Sequence, residues 1–344
     1  MTQPRRVYFS HPEPDGAHLP LIPFFLPFAG CPQQCVFCDQ HRQTGRGPVA
    51  WDQVLDELQS RLTRQTDPFC LGFFGGTFTG LSVARQDKLL ETARRFAGNG
   101  RLGHIRISTR PDMVTAADMK RLKDQGVSMV ELGIQTFSHS ALTKSGRGYG
   151  PDTAREACRL VHDAGLELGI QLLPGLPGHD QEMWAEDVQR AITEKPAVVR
   201  IYPCVVMKGT ELGRMFRHGE YTPWTLDMAV EESGWAVLRF WEAGIRVIRL
   251  GLAAEQGMLE AMLAGPWHPA FGNMVRSRAL LQFLEQTIRG LDGSVTLLSV
   301  PKRHSGELWG HGRSNVQALA RLGVDKSRVR FWNQSEFALE WEEA

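Results

Sequence analysis

The sequence predicts an α/β protein, a partial (β/α)6 TIM-like barrel with a C-terminal α/β extension. Three observations predict it. Short apolar runs alternate with amphipathic segments through six βα steps in about 200 residues, the rhythm of a parallel sheet with helices outside. Several of the runs are apolar at successive positions, as strands covered on both faces must be. The polar motifs fall just after the runs, at strand C-termini, where barrels keep their chemistry. A doubly wound sheet also places ligands there, so the pattern by itself leaves that alternative standing.

The elements follow in order. LIPFFLPF (21–28) is a buried-strand candidate, and WDQVLDELQSRLTRQ (51–65) has helical spacing. FCLGFFGG (69–76) is a strand ending in glycines, and ARQDKLLETARRFAG (84–98) a helix stopped by glycine. HIRIST (104–109) is a third strand, and the next helix (115–126) opens on Thr115 and closes on Gly126. SMVELGIQ (128–135), LELGIQLLPG (166–175) and AVVRIYP (197–203) continue the strands, separated by helices at 152–164 and 181–194. Beyond residue 204 the rhythm loosens into a helix (226–244), a strand (245–252), a turn and helix (265–290), strands at 294–300 and 327–332, and a helix near 313–323. The expected division is an N-terminal segment over 1–20, a barrel over 21–250 and an extension over 251–344.

Hydrophobic residues make up 42% and charged residues 22% of the 344 residues, with a net charge of +1. That balance suits a globular core and gives no global argument for nucleic acid or membrane. No apolar run reaches membrane-spanning length, and the Pro-rich N-terminus lacks the apolar stretch of a signal peptide. A cytoplasmic location is therefore expected, with no membrane partner and with reduced thiols.

Three of the six cysteines crowd into eight residues. Cys31, Cys35 and Cys38 follow C-x3-C-x2-C spacing, and thiolates select zinc, copper(I) or iron–sulfur clusters. Three ligands on a short loop wrap three corners of a cubane and leave one iron open for substrate chemistry. Zinc is the alternative, with His41 as a fourth ligand. Phe37, just before the last cysteine, is placed to pack against an adenine ring. Cys70, Cys158 and Cys204 lie in apolar surroundings and read as small buried hydrophobes.

The C-x3-C-x-Φ-C loop after a first strand resembles the signature of the radical SAM superfamily. GGTFTGL (75–81), STRPD, ELGIQTF, GRGY, IQLLPGLPG and RIYP resemble, in order, the barrel of the Elongator catalytic subunit and, more distantly, oxygen-independent coproporphyrinogen oxidase. The resemblance covers roughly residues 20–250. It implies a radical SAM barrel, a [4Fe–4S] cluster on Cys31, Cys35 and Cys38, S-adenosyl-L-methionine as second cofactor, and a reductant such as flavodoxin or ferredoxin as partner. It also implies cofactor contacts. Gly75, Gly76 and Thr77 match the element holding the methionine amino group, where glycines expose backbone to a ligand. The same residues would also make an ordinary tight turn. Ser108 stands where the porphyrinogen enzyme has an acidic residue. Arg110 is a candidate clamp for the methionyl carboxylate, with a salt bridge to Asp112 as its structural alternative. Gln135 matches a ribose contact, Arg147 a position near the carboxylate, and Gln171 a position facing the adenosine. Glu131 shares a strand face with Gln135, so these polar groups line a ligand site or form a satisfied core network. Tyr202 and Lys208 follow the sixth strand without a role that the sequence assigns.

Residues 289–330 carry Arg289, Lys302, Arg303, Arg313, Arg321, Lys326, Arg328 and Arg330 against Asp292, Glu307 and Asp325. The segment suits an RNA- or phosphate-binding surface or a solvated basic face. The functional expectation is a radical enzyme whose 5′-deoxyadenosyl radical abstracts hydrogen from an unidentified substrate, with tRNA or another RNA as candidate partner. The sequence is too short past the barrel for the Elongator subunit's acetyltransferase domain. A radical enzyme on a small molecule or peptide, and a zinc-stapled RNA-binding protein without catalysis, are the alternatives.

Overall fold

The computed structural model describes residues 5–16, 19–44, 50–98 and 100–343. They contain thirteen strands. β1 is Arg5–Phe9, β2 Leu21–Phe25, β3 Phe69–Phe74, β4 Leu102–Thr109, β5 Val127–Gln135, β6 Glu167–Leu172 and β7 Val198–Ile201. They are followed by β8 (Val206–Met207), β9 (Arg246–Leu250), β10 (Met262–Ala264), β11 (Ser294–Pro301), β12 (Val329–Trp332) and β13 (Phe337–Glu342). The chain forms two compact units, one of residues 16–225 and 251–267, the other of 1–15, 226–250 and 268–344. The sequence division at 20 and 250 is linear, whereas the second unit gathers both ends of the chain and a middle segment. A linear reading has no means of seeing that both ends enter one sheet.

In the first unit, β2 to β7 lie side by side in chain order, each parallel to the next. A doubly wound sheet reverses its strand order at a switch point. An unbroken order curls one way, so the barrel alternative holds. β2 is an edge strand among the described residues, and the barrel is partial. All six residues of β3 are buried, as are most of β5, the double-sided burial that its continuous apolar run predicts. Thr115 caps the helix Ala116–Asp124 by accepting from the Asp118 N–H, and Gly126 follows at φ +87°. The helix expected over 84–98 is Val83–Arg94, ending before its glycine. β8 and β10 pair antiparallel beside the loop after β7.

In the second unit, β1, β13, β11 and β12 form a sheet in that order. Helix Phe271–Arg289 covers one face, through Leu280, Leu281 and Leu284 against Leu298, Val300, Phe337 and Leu339. β1 and β13 are absent from the sequence reading, although Phe337, Leu339 and Trp341 alternate at strand period. Part of the basic tract is engaged. Arg328 donates to the carbonyls of Val295 (2.8 Å) and Gly323 (3.1 Å), and Arg330 donates to Ser299 Oγ at 2.9 Å.

Only His11, His304 and Glu307, among the described residues, bring three metal-type donor atoms within 4.8 Å of one another. Their hydrogen bonds argue for a carboxylate clamp rather than a metal site. His11 Nδ1 accepts from the Glu13 N–H at 3.1 Å, and His304 Nε2 accepts from Arg303 at 3.0 Å. Each ring therefore carries its proton on the nitrogen facing Glu307, at 3.4 Å for His11 and 3.0 Å for His304. Burial alone would raise the Glu307 carboxyl. The hydrogen bonds from His11 and His304 and the charge of Arg276 overcome it and hold the carboxyl far below its ordinary range.

Candidate active site

The cysteine loop leaves the C-terminal end of β2 and is seated on the loop that leaves β3. Thr77 N–H donates to the Ala29 carbonyl at 2.8 Å. A Cβ on Gly76 would lie 2.3 Å from Ala29 O, and one on Gly30 would lie 2.2 Å from Thr77 O. These glycines are needed because two backbones touch; for Gly76 the sequence reading had left ligand approach and a tight turn as alternatives. Gly75 takes φ +91° and starts the turn. Cys31 Sγ then lies 3.3 Å from Thr77 Oγ1. The Cys38 N–H closes a turn onto the Cys35 carbonyl at 3.1 Å, and Val36 N–H donates to Ser145 O.

Two buried guanidiniums converge on this loop. Arg147 Nη1 lies 3.2 Å from Cys35 Sγ and Arg110 Nη1 lies 3.5 Å from it. Arg147 also donates to Gly133 O and to Tyr149 Oη (2.8 Å). Tyr149 Oη in turn donates to the carbonyls of Gly133 and Ile134. Arg110 holds Asp112 through two bonds, at 2.9 and 2.8 Å, and donates to Arg147 O. The salt bridge to Asp112 is therefore present, and Arg110 Nη1 turns to Cys35. The guanidiniums lie 5.6 Å (Arg110) and 5.1 Å (Arg147) from the Tyr149 ring centre. Tyr149 stands in the GRGY tract, but its position between two arginines has no sequence signal.

Burial pushes the Cys38 thiol up to about 12, and the neighbouring Cys35 and Cys31 add to the rise against the opposing charge of Arg147. Cys31 is raised by burial too, against the Thr77 hydrogen bond. The three thiols are not gathered around a single tetrahedral zinc position. Tetrahedral zinc with bonds of about 2.3 Å needs sulfurs about 3.8 Å apart. No three donors from Cys31, Cys35, Cys38 and His41 come within 4.8 Å of one another. The His41 ring packs edge-on to Phe28, 5.0 Å between centres. The donor set, three soft thiols with two guanidiniums behind one of them, suits an anionic iron–sulfur cluster.

Inside the barrel, the polar groups on β4 to β7 are joined. Gln171 Nε2 donates to Ser108 Oγ at 2.7 Å and to Glu131 Oε2 at 3.1 Å. Arg200 grips Glu131 with two bonds, 2.5 and 3.0 Å, and lies 4.8 Å from the Phe74 ring centre. Glu131 and Arg200 were not foreseen as partners. They stand 69 residues apart in the chain, which no spacing rule reaches. Gln135 stands outside this network. A register shift between Leu132 and Gln135 and its φ of +71° break the strand alternation. Its amide instead lies beside Gly133, where an added Cβ would meet Gln135 Nε2 at 3.0 Å. Phe37 packs against the apolar cluster of Leu173, Leu176 and Val206, together with Tyr202. Cys204 is a buried thiol pushed up to about 12 by burial against its hydrogen bond with Tyr221.

The loop after β6 is pinned by a dyad the sequence did not suggest. His179 Nδ1 accepts from the Gly175 N–H, and its Nε2 lies 3.0 Å from Asp187 Oδ2. Asp187 Oδ1 also accepts from the Phe137 N–H at 2.7 Å. This ties β5, the loop after β6 and helix Gln181–Thr193 into one rigid corner.

A profile of the radical SAM superfamily matches residues 25–191, and a profile of the radical SAM C-terminal domain matches residues 196–280. The tRNA uridine(34) acetyltransferase of Methanocaldococcus infernus is 29% identical over 60% of this chain and 47% of that protein. The heme chaperone HemW of Escherichia coli is 26% identical over 57% of this chain and 53% of that protein. The chain spans about half the length of the curated relatives it matches. Among solved structures, N-terminally deleted Elp3 of M. infernus superposes with a TM-score of 0.58 at 22% identity, covering 79% of this chain and 64% of that one. Coproporphyrinogen III oxidase (HemN) of E. coli gives 0.50 at 18%, covering 68% and 54%. These two likenesses show a shared fold.

Proposed function

This chain belongs to the radical SAM superfamily, and on that premise we propose that it is an enzyme using a [4Fe–4S] cluster and S-adenosyl-L-methionine to abstract hydrogen from its substrate. The observation that carries the proposal is the three-thiol loop on β2 with Arg147 and Arg110 directed at Cys35. Held there, a cluster would supply the electron for reductive cleavage of the C5′–S bond of S-adenosylmethionine to methionine and a 5′-deoxyadenosyl radical. Cys31, Cys35 and Cys38 would hold the cluster, and the two guanidiniums would offset its negative charge. The Gly75–Thr77 turn offers backbone to the methionyl amino group, with Arg147 or Arg110 for the carboxylate. Gln135, Gln171 and Ser108 offer hydrogen bonds to the nucleoside, and Phe37 offers its ring to the adenine. The buried strands β3 and β5 would limit competing reactions of a carbon radical.

The test is anaerobic reconstitution with iron and sulfide, then dithionite and S-adenosylmethionine. About four irons per chain and formation of 5′-deoxyadenosine are expected. Zinc alone in the thiol site, with no 5′-deoxyadenosine, overturns the proposal.

For the substrate we propose a tRNA, supported by the relatives described as tRNA uridine(34) acetyltransferases. Flavodoxin or ferredoxin is the proposed reductant, and the cytoplasm the proposed location. No helix among the described residues is long and apolar enough to cross a membrane. Nucleoside mass spectra from anaerobic cells with and without the gene decide the substrate. An unchanged tRNA profile with an altered small metabolite rejects tRNA.

A further inference from the structure

Arg147 is a buried cation with no carboxylate beside it. The residue is 4% exposed, and its side-chain partners among the described residues are Tyr149 Oη, the Gly133 carbonyl and Cys35 Sγ. Arg110, the other guanidinium at the cysteine loop, has Asp112. A guanidinium taken out of water keeps its charge and calls for an anion. The group that faces Arg147 is a thiol, which becomes anionic when it binds metal.

The contact is held from both sides. The turn after helix His139–Lys144 carries Arg147 between Gly146 and Gly148, at φ +66° and +77°. The cysteine loop rests on that turn. Gln33 Nε2 donates to the Gly146 carbonyl at 2.7 Å, and the Val36 N–H to the Ser145 carbonyl at 3.2 Å. A Cβ on Gly148 would lie 2.7 Å from Gln33 Nε2. At the far end of the side chain, Tyr149 Oη accepts from Arg147 Nε at 3.2 Å and from Nη2 at 2.8 Å. That hydroxyl is itself fixed by the carbonyls of Gly133 and Ile134, each at 3.2 Å. With Nε and Nη2 so engaged, Nη1 is turned to Cys35, 3.2 Å away.

We propose that Arg147 sets the reduction potential of the cluster through Cys35, and that Tyr149 is the residue that positions it there. This rests on the reading that Cys31, Cys35 and Cys38 hold a [4Fe–4S] cluster. One-electron reduction adds a negative charge to such a cluster. A positive charge and an N–H···S bond at one ligand sulfur favour the reduced form and so raise the potential. The burial of Arg147 leaves its charge weakly screened. Cys31, by contrast, meets a neutral hydroxyl, Thr77 Oγ1, at 3.3 Å.

The experiment reconstitutes the full chain anaerobically with iron and sulfide and measures the midpoint potential by mediated titration read by electron paramagnetic resonance. S-adenosylmethionine is left out, so no methionyl carboxylate competes for Arg147. Arg147→Gln is expected to shift the oxidised-to-reduced ratio at a fixed potential about tenfold towards oxidised, a fall of about 59 mV for a one-electron couple. Arg147→Lys keeps a charge and should lie closer to the wild type. Tyr149→Phe keeps the ring beside both guanidiniums and removes only the hydroxyl. It should lower the potential of the wild-type chain and add nothing to Arg147→Gln, the non-additivity of a residue that acts through another. Iron content and melting temperature show that each variant is folded and loaded. Should Tyr149→Phe fail to load, the comparison of Arg147→Lys with Arg147→Gln decides. A potential that Arg147→Gln leaves unchanged, equal potentials in Arg147→Lys and Arg147→Gln, or an additive fall from Tyr149→Phe overturns the proposal. A wild-type chain that takes up no iron overturns the cluster reading and this inference with it. A loaded cluster whose potential does not move overturns this inference alone.

Discussion

Replacing Glu131 by leucine should be among the most damaging single changes in the barrel. Glu131 is 1% exposed, and its carboxylate receives two bonds from Arg200 and one from Gln171. The Arg200 side chain is 11% exposed. Glu131→Leu therefore leaves a guanidinium in a low-dielectric interior with no anion. Breaking one side of a buried pair costs about 3–5 kcal/mol. At roughly 2–4 °C per kcal/mol for a unit of this size, the melting temperature should drop by about 6–20 °C. Arg200→Leu should cost a similar amount, because it strands the carboxylate with only Gln171. Replacing both by leucine removes the pair and both desolvation costs together. The double variant should then recover at least about 2 kcal/mol relative to the sum of the singles. The assay is a double-mutant cycle by urea or thermal denaturation at pH 7. A single-variant cost below about 1 kcal/mol, or simple additivity, would refute the reasoning that these two groups are buried partners.

Other expected outcomes follow from the same geometry. Cys31→Ala, Cys35→Ala and Cys38→Ala should each abolish stable iron uptake on anaerobic reconstitution, measured as iron and sulfide per chain, while Cys158→Ala should leave it intact. Burial raises Cys31 and Cys38, so metal uptake must displace thiol protons and should improve as pH rises from about 7 to 9. The sign for the metal-free protein is opposite. A thiol raised on folding contributes stability below its unfolded value of about 9 and loses it towards the folded value of about 12, so alkaline denaturation should be seen across that window. Glu307, held low by His11, His304 and Arg276, contributes stability above its unfolded value of about 4.3 and loses it as pH falls below that. Glu307→Gln should cost about 1–3 kcal/mol at pH 7, and its difference from the wild type should shrink below about pH 4. Gly76→Ala should lower the melting temperature and the iron content together, because its methyl would meet Ala29 O at 2.3 Å.

Local features of the chain were legible where local rules act. The Thr115 cap and the Gly126 stop were readable because capping is settled within four residues. Double-sided burial of β3 was readable as an unbroken apolar run. Helix Val83–Arg94 ended before its glycine because turn residues 95–98 intervene, and propensity weakly fixes helix ends. β13 carried a period-2 signal in FALEWE that the reading passed over, and β1 lay in a segment taken as N-terminal extension.

The amino-acid sequence by itself determined the soft-donor loop, Cys31, Cys35 and Cys38, and the run of βα steps that puts that loop at a strand end. Both are properties of neighbours in the chain, where spacing and period suffice. Tertiary structure alone decided what surrounds the thiols. Arg147 reaches Cys35 across 112 residues, and Arg110 reaches it across 75. Arg200 meets Glu131 across 69 residues, and Arg6 meets Glu340 across 334. The last two pairs arise because a sheet, parallel through β5 to β7 and antiparallel between β1 and β13, sets strands of remote sequence about 4.8 Å apart. Burial then compels each charged group to find its partner among whatever the fold has brought within reach.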